Sequence, residues 1–212
     1  MPLHKYAIMI LILDNFDSFV WNLAHMVAKQ GQEFSIIRTD MINPDEIQRI
    51  KPSHILISPG PKAPRDYPEV MNIINIFSRS IPIMGICLGH QMLGEFGGAL
   101  IRKAKQPSHG KKSLIHHHKT GLFYNLPSSM YVARYHSLVV EETTLFLEDW
   151  HVDAKTEDGE IMAIHHQSLP LYGLQFHPES IIAEHGEHLI NNFLQLTNSE
   201  NFSHSFVCSL RD

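Results

Sequence analysis

Cys87 stands between two glycines in Gly85-Ile86-Cys87-Leu88-Gly89, after a short apolar run and before a helix-like segment; far downstream lies His177-Pro178-Glu179. A reactive residue on a tight strand-to-helix turn needs neighbours without side chains, because the backbone there is strained and the reacting atom must stand clear of it. The helix that follows offers its unpaired N–H groups to negative charge, which favours a thiolate. A cysteine in that setting, with a distant histidine and glutamate, points to a nucleophilic enzyme. Pro178 disfavours helix at His177 and keeps His177 and Glu179 in an extended or turn arrangement.

The elements that must position these residues read as alternating strands and helices, the pattern of parallel strands joined by crossovers. Ala7 to Leu13 reads as the first strand. Ser18 caps a helix through Gln30, closed by Gly31, and Glu33 to Arg38 is the second strand. Asn43-Pro44-Asp45-Glu46 combines an N-cap, a first-turn proline and a glutamate at the third helical position, so a helix runs to about Ile50. His54 to Ser58 is the third strand, Glu69 to Arg79 a helix, Ile81 to Ile86 a buried strand, and Leu88 to Phe96 the helix after Cys87, ended by Gly97-Gly98.

Beyond Ala99 the strands shorten. Residues 155–160 read as a hairpin turn between His151–Ala154 and Ile161–His165, so this half is partly antiparallel. The run Leu171 to Phe176 delivers His177, and a last amphipathic helix covers Glu184 to Leu196. The fold class is therefore α/β, an open, mostly parallel sheet flanked by helices. In such sheets reactive groups collect outside the carboxyl ends of the strands. Asp14-Asn15-Phe16-Asp17-Ser18, Ser58-Pro59-Gly60-Pro61, Cys87 and His177 all fall at such ends, and four converging ends would make one site.

At 212 residues the chain suits one well-buried domain, here residues 1–197, with a flexible tail over 198–212. A net charge of -5 and 18% charged residues give no basic field, so neither nucleic acid nor a membrane surface is an expected partner. Ala7 to Leu13 is too short to span a bilayer and serves poorly as a signal peptide, which places the protein in the cytoplasm. Cys208 lies in a polar, Ser-rich tail, so a disulfide with Cys87 is not expected.

Taken together the motifs resemble the class I glutamine amidotransferases, specifically the small-subunit type of anthranilate synthase and aminodeoxychorismate synthase. The resemblance runs from Leu11 to about Leu196 and rests on LDNFDSFVWNL (13–23), SPGP (58–61), GICLGHQ (85–91), HGK (109–111), ARYHSLVV (133–140) and QFHPES (175–180), in order. It implies a flavodoxin-like fold and a catalytic Cys87, His177 and Glu179: thiolate attack on the side-chain amide of L-glutamine, His177 as base and then acid, and Glu179 orienting the imidazole. It assigns the oxyanion donors to the N–H groups of Leu88 and Gly60, each worth roughly 3 kcal/mol to the transition state. It assigns the substrate's amino-acid end to Gln91, Ser137 and Leu138, with Gly60-Pro61-Lys62 packed over it. The commoner pattern has a second glycine where Lys62 stands; if that position needs positive φ, lysine carries local strain. The implied partner is a chorismate-binding synthase subunit, component I, and no cofactor is implied. Which product results, anthranilate or aminodeoxychorismate, stays open. So do a γ-glutamyl hydrolase of the same fold and a catalytically silent subunit.

Other polar features have plainer readings. Asp14, Asn15, Asp17 and Ser18 are ordinary turn and cap residues that could also face the partner. His116-His117-His118 invites a metal, but neighbouring strand residues point to opposite faces and no carboxylate or cysteine accompanies them, so a solvated strand end is expected. His185 and His188 read as surface residues, and His109-Gly110-Lys111 as a structural or partner-facing loop.

Overall fold

The computed structural model describes residues 9–196, and Ala7, Cys208 and the tail from Asn198 lie outside the described residues. The strands β1 (Met9–Asp14), β2 (Glu33–Arg38), β3 (His54–Ile57), β4 (Ile83–Ile86) and β11 (Leu171–Leu174) are all parallel to their neighbours within this group. β10 (Ile161–His166), β9 (Trp150–Thr156), β6 (Lys111–His117) and β7 (Ser129–Arg134) continue the sheet antiparallel. Among the described residues these nine strands form one sheet in the order β2-β1-β3-β4-β11-β10-β9-β6-β7. β5 (Ile101–Lys103) and β8 (Leu138–Val140) pair separately. The late strand β11 thus sits in the middle of the sheet, joining the two halves.

Strand periodicity builds the layers. Ile10 and Ile12 enter one apolar cluster with α1 (Val20–Lys29) and α5 (Gly186–Leu194), while Leu11 and Leu13 enter a second with α2 (Pro44–Ile50), α3 (Pro68–Phe77) and α4 (Leu88–Phe96). Alternate side chains of a strand point to opposite faces, so a strand buried on both must be apolar throughout. The second cluster takes Ile47, then Val70, Ile73, Ile74 and Phe77 at helical spacing, then Leu88, Met92 and Leu93. Each such side chain contributes about 1.5–3 kcal/mol by leaving water.

Several element ends follow the sequence reading. Asn43 Oδ1 accepts the N–H of Glu46 at 2.9 Å, Pro44 opens α2, and Lys51 ends it in the left-handed region. Other ends differ. Ser18 does not cap α1, whose N-cap is Phe19 without a side-chain bond; instead Asp14 Oδ1 accepts the N–H of Asp17 at 2.9 Å and turns the chain one step earlier. α5 begins at Gly186, because His185 takes positive φ. His117 is no solvated strand end. It is buried against Phe123, with ring centroids 4.4 Å apart, while His116 and His118 are exposed.

Candidate active site

The adjacency of β1, β3, β4 and β11 gathers all four strand ends at one edge. Cys87, the first residue beyond β4, has φ 53° and ψ -97° and serves as N-cap of α4. A non-glycine residue there is strained, and the surroundings hold it. Its N–H donates to Leu174 O at 2.7 Å, tying the turn to β11. The flanking glycines permit the approach of strand to helix: a Cβ on Gly85 would lie 2.2 Å from the backbone of Gly89, and one on Gly89 would lie 2.7 Å from Ile57 O.

His177 and Glu179 follow β11. His177 Nδ1 and Glu179 Oε1 are 2.6 Å apart, both residues are buried, and the His177 N–H donates to Ala133 O at 3.0 Å. Burial alone would depress the imidazole, but the sulfur of Cys87 and the carboxylate of Glu179 outweigh it and push His177 up to about 10. Tyr135 packs edge-on against the His177 ring at 5.0 Å and is itself flanked by Phe19 and His109. Asp17 is raised to about 6, mainly by burial, against a bond from the Phe19 backbone, with the nearby charge of Glu179 adding to the rise.

Gly60 comes up against the same turn. A Cβ there would meet Asn15 Cβ and O at 2.6 Å and Leu88 Cδ2 at 3.0 Å, so only glycine lets this loop close on α4. The loop is fastened from below. The Asn15 N–H donates to Ser58 Oγ at 2.9 Å, Asn15 Nδ2 donates to Ser58 O at 2.7 Å, and Tyr67 OH donates to Pro61 O at 3.1 Å. Asn15 is fully buried by these bonds, which removes it from any partner-facing surface. Lys62 takes φ 70°, the conformation in which lysine is strained.

At the other rim, Gln91 on α4 donates from Nε2 to Leu138 O at 3.0 Å, across from the turn that carries Ser137. Ser137 is exposed, and its carbonyl accepts from the Ala104 N–H at 2.8 Å. Cys87, His177 and Glu179 therefore gather at one edge of the sheet with Gly60, Leu88, Gln91 and Leu138.

A sequence model of the family described as glutamine amidotransferase class-I matches residues 11–196. The chain belongs to the class-I glutamine amidotransferases. It is 43% identical over 193 residues to "Anthranilate synthase component 2" of Azospirillum brasilense, covering 89% of this chain and 96% of that one. It is 42% identical over 193 residues to "Aminodeoxychorismate/anthranilate synthase component 2" of Bacillus subtilis, covering 91% and 98%. It is also 42% identical over 190 residues to "Bifunctional protein TrpGD" of Thermotoga maritima, covering 88% of this chain but only 32% of that longer protein. Among solved structures, a glutamine amidotransferase from Thermotoga maritima superposes with a TM-score of 0.73 at 15% identity, over 89% of this chain and 97% of that one, and a putative GMP synthase protein from Thermoplasma acidophilum with a TM-score of 0.81 at 24% identity, over 90% and 94%; both are likenesses of fold.

Several residues of the amidotransferase site carry no obvious signal in the sequence. Gln175 is fully buried and reaches both Gln91 and Cys87. Arg134, His136 and Glu160 form a buried polar group behind the Ser137 turn. Gly186 is pressed on the Pro178 carbonyl, where a Cβ would come within 1.9 Å of the oxygen. Arg134, His136 and Gln175 lie inside the ARYHSLVV and QFHPES stretches, but only the fold shows that they meet. Among the described residues no group of three or more His, Cys, Asp or Glu could hold a metal ion, and no helix is long and apolar enough to cross a membrane.

Proposed function

We propose that this chain is the glutaminase subunit of a two-component synthase that aminates chorismate, yielding anthranilate, 4-amino-4-deoxychorismate or both. The Cys87 thiolate attacks the side-chain amide carbon of L-glutamine, and the resulting oxyanion is met by the N–H groups of Leu88 and Gly60. His177 gives its proton to the departing nitrogen, ammonia leaves, and a γ-glutamyl thioester remains. His177 then takes a proton from water, whose attack on the thioester releases glutamate and restores the thiolate. Glu179 holds the imidazole by Nδ1, leaving Nε2 toward the sulfur. Gln91, Ser137 and Leu138 receive the amino-acid end of glutamine, with Gly60-Pro61-Lys62 closing over it.

The observation that carries this reading is the strained Cys87 turn at the head of α4, with the His177–Glu179 pair seated over it. That similar proteins are named component 2 of anthranilate and aminodeoxychorismate synthases supports a second component, which in this reading binds chorismate. Ammonia that escaped into water would become ammonium and lose its nucleophilicity, so the two sites must communicate when the subunits dock. Phe16, Phe19 and Trp21 after β1 are exposed, and Phe19 packs on Tyr135 beside His177, so this segment is suited to face that partner. We place the pair in the reducing cytoplasm, where a free nucleophilic thiol persists.

The test is glutamine-dependent ammonia release by the chain alone and with candidate chorismate-binding subunits, with the aromatic product identified. The free chain should be weakly active, the partner should raise the rate, and Cys87→Ser should remove glutamine-dependent product while added ammonia still supports it. Glutamine left intact under every condition would overturn the proposal, and a full rate without any partner would count against the coupling.

A further inference from the structure

The amide of Gln175 bonds both Gln91 and Cys87, and the direction of its hydrogen bonds is set by the Leu138 carbonyl, which can only accept. Arginine can only donate. Arg134 Nη2 donates to the Glu160 carboxylate and Arg134 Nε to His136 Nε2 at 3.1 Å, so Nε2 is an acceptor and the imidazole proton sits on Nδ1. That Nδ1–H donates to Leu138 O at 3.2 Å. The same carbonyl accepts from Gln91 Nε2 at 3.0 Å, and Gln91 Nε2 also donates to Gln175 Oε1 at 3.3 Å. With its oxygen engaged, Gln175 presents its nitrogen to the sulfur, and Nε2 donates to Cys87 Sγ at 3.8 Å. Every side chain of this relay is buried, and burial followed by the charge of Arg134 holds His136 neutral, at about 3.

We propose that Gln175 donates a hydrogen bond to the Cys87 thiolate, and that Gln91, itself oriented by the Leu138 carbonyl, is the positioning residue that fixes its amide in that sense. This rests on Cys87 being the nucleophile. A helix N-terminus favours negative charge over a broad region, whereas an amide N–H supplies a directed bond to one atom. The amide is also neutral at any working pH, so it cannot compete with His177 for the thiol proton. A flipped amide would aim Oε1 at the sulfur and repel the thiolate; the relay through Gln91 prevents that flip.

The readout is the pH profile of Cys87 alkylation by iodoacetamide in a Cys208→Ser background, which needs neither glutamine nor a partner. The titratable group on the sulfur is His177, with Glu179 bonded behind it and Asp17 beyond β1 acting on both; His136 from the β7–β8 turn acts through His177, and His90 on α4 lies against Gly173. Gln175→Met leaves all of these in place. It should move the profile up by about one pH unit, slowing alkylation about tenfold below its midpoint. Gln175→Glu should move it further, and Gln91→Met, which frees the Gln175 amide to flip, in the same direction by less. A folded Gln175→Met chain with the parent profile overturns the proposal. If that variant does not fold, the side-chain amide protons of Gln175 in the unaltered chain decide. They should shift with the thiol titration and lose that shift in Cys87→Ser, and an amide indifferent to Cys87 overturns the donor. Glutamine that is never hydrolysed, together with a shifted alkylation profile, would remove the glutaminase reading and keep the donor; the converse pair of results would do the reverse.

Discussion

His177 binds its proton far more tightly in the folded chain than a free imidazole, because the sulfur and Glu179 favour the cation more than burial opposes it. A group whose folded value lies above its unfolded one adds stability that is whole below the unfolded value, about 6.5, and is lost as pH rises toward the folded value, about 10. Between those limits the unaltered chain should lose stability with rising pH faster than His177→Gln does, as read by denaturant unfolding at several pH values. Parallel slopes for the two chains would refute the assignment. Lys62 offers a second test at this scale. Its positive φ costs roughly 1 kcal/mol that glycine would avoid, offset in part by the greater freedom of unfolded glycine. Lys62→Gly should therefore stabilise the chain by about 0.5 kcal/mol in thermal or denaturant unfolding, and a loss of stability would show that the lysine side chain makes a compensating contact.

At the scale of elements, α5 meets the site through Gly186. A methyl group there would strike the Pro178 carbonyl, between His177 and Glu179, so the helix must retreat or the pair must move. Gly186→Ala should cost about 1–3 kcal/mol, the usual range for overpacking, and should lower glutamine hydrolysis by more than the fraction unfolded explains. Activity that tracks folded fraction alone would separate α5 from the chemistry. The parallel half of this architecture is legible in the sequence because its signals are local: apolar runs of strand length, the Asn43-Pro44 cap, and glycines flanking Cys87. The misplaced ends of α1 and α5 share another cause. Ser18 is a good cap residue by type and Glu184 opens an amphipathic run, but the Asp14 turn and the positive φ of His185 decide where the helices begin. Glu160, Arg134 and Gln175 are illegible as a group, because their meeting depends on β7, β10 and β11 sharing one sheet. Asn15 reads as a surface turn residue by type, although the loop after β3 draws it inward and its amide nitrogen is engaged by Ser58.

For the whole molecule, the exposed aromatic residues that follow β1 bear on the proposed partner. Trp21 is 68% exposed, Phe16 49% and Phe19 43%, and Phe19 reaches His177 through Tyr135. Exposed aromatic side chains are the kind of residue of which a few can carry most of an interface's binding energy. Trp21→Ser should weaken association with the proposed chorismate-binding partner at least about tenfold, by titration calorimetry or surface plasmon resonance, and leave Cys87 alkylation in the free chain unchanged. Unaltered affinity would move the contact elsewhere.

The central place of β11 bears on how the protein is made. β4 and Cys87 leave the ribosome long before the strand that flanks them on one side and the histidine and glutamate that follow it. Until β11 slots between β4 and β10, the nascent chain has a thiol but no base, no anchor for the Cys87 N–H and an open seam through its sheet. Glutamine is abundant around a ribosome, and an early-formed glutaminase would deplete it to no end. Here the order of the strands in the sheet, set against their order in the gene, delays reactivity until the sheet is closed.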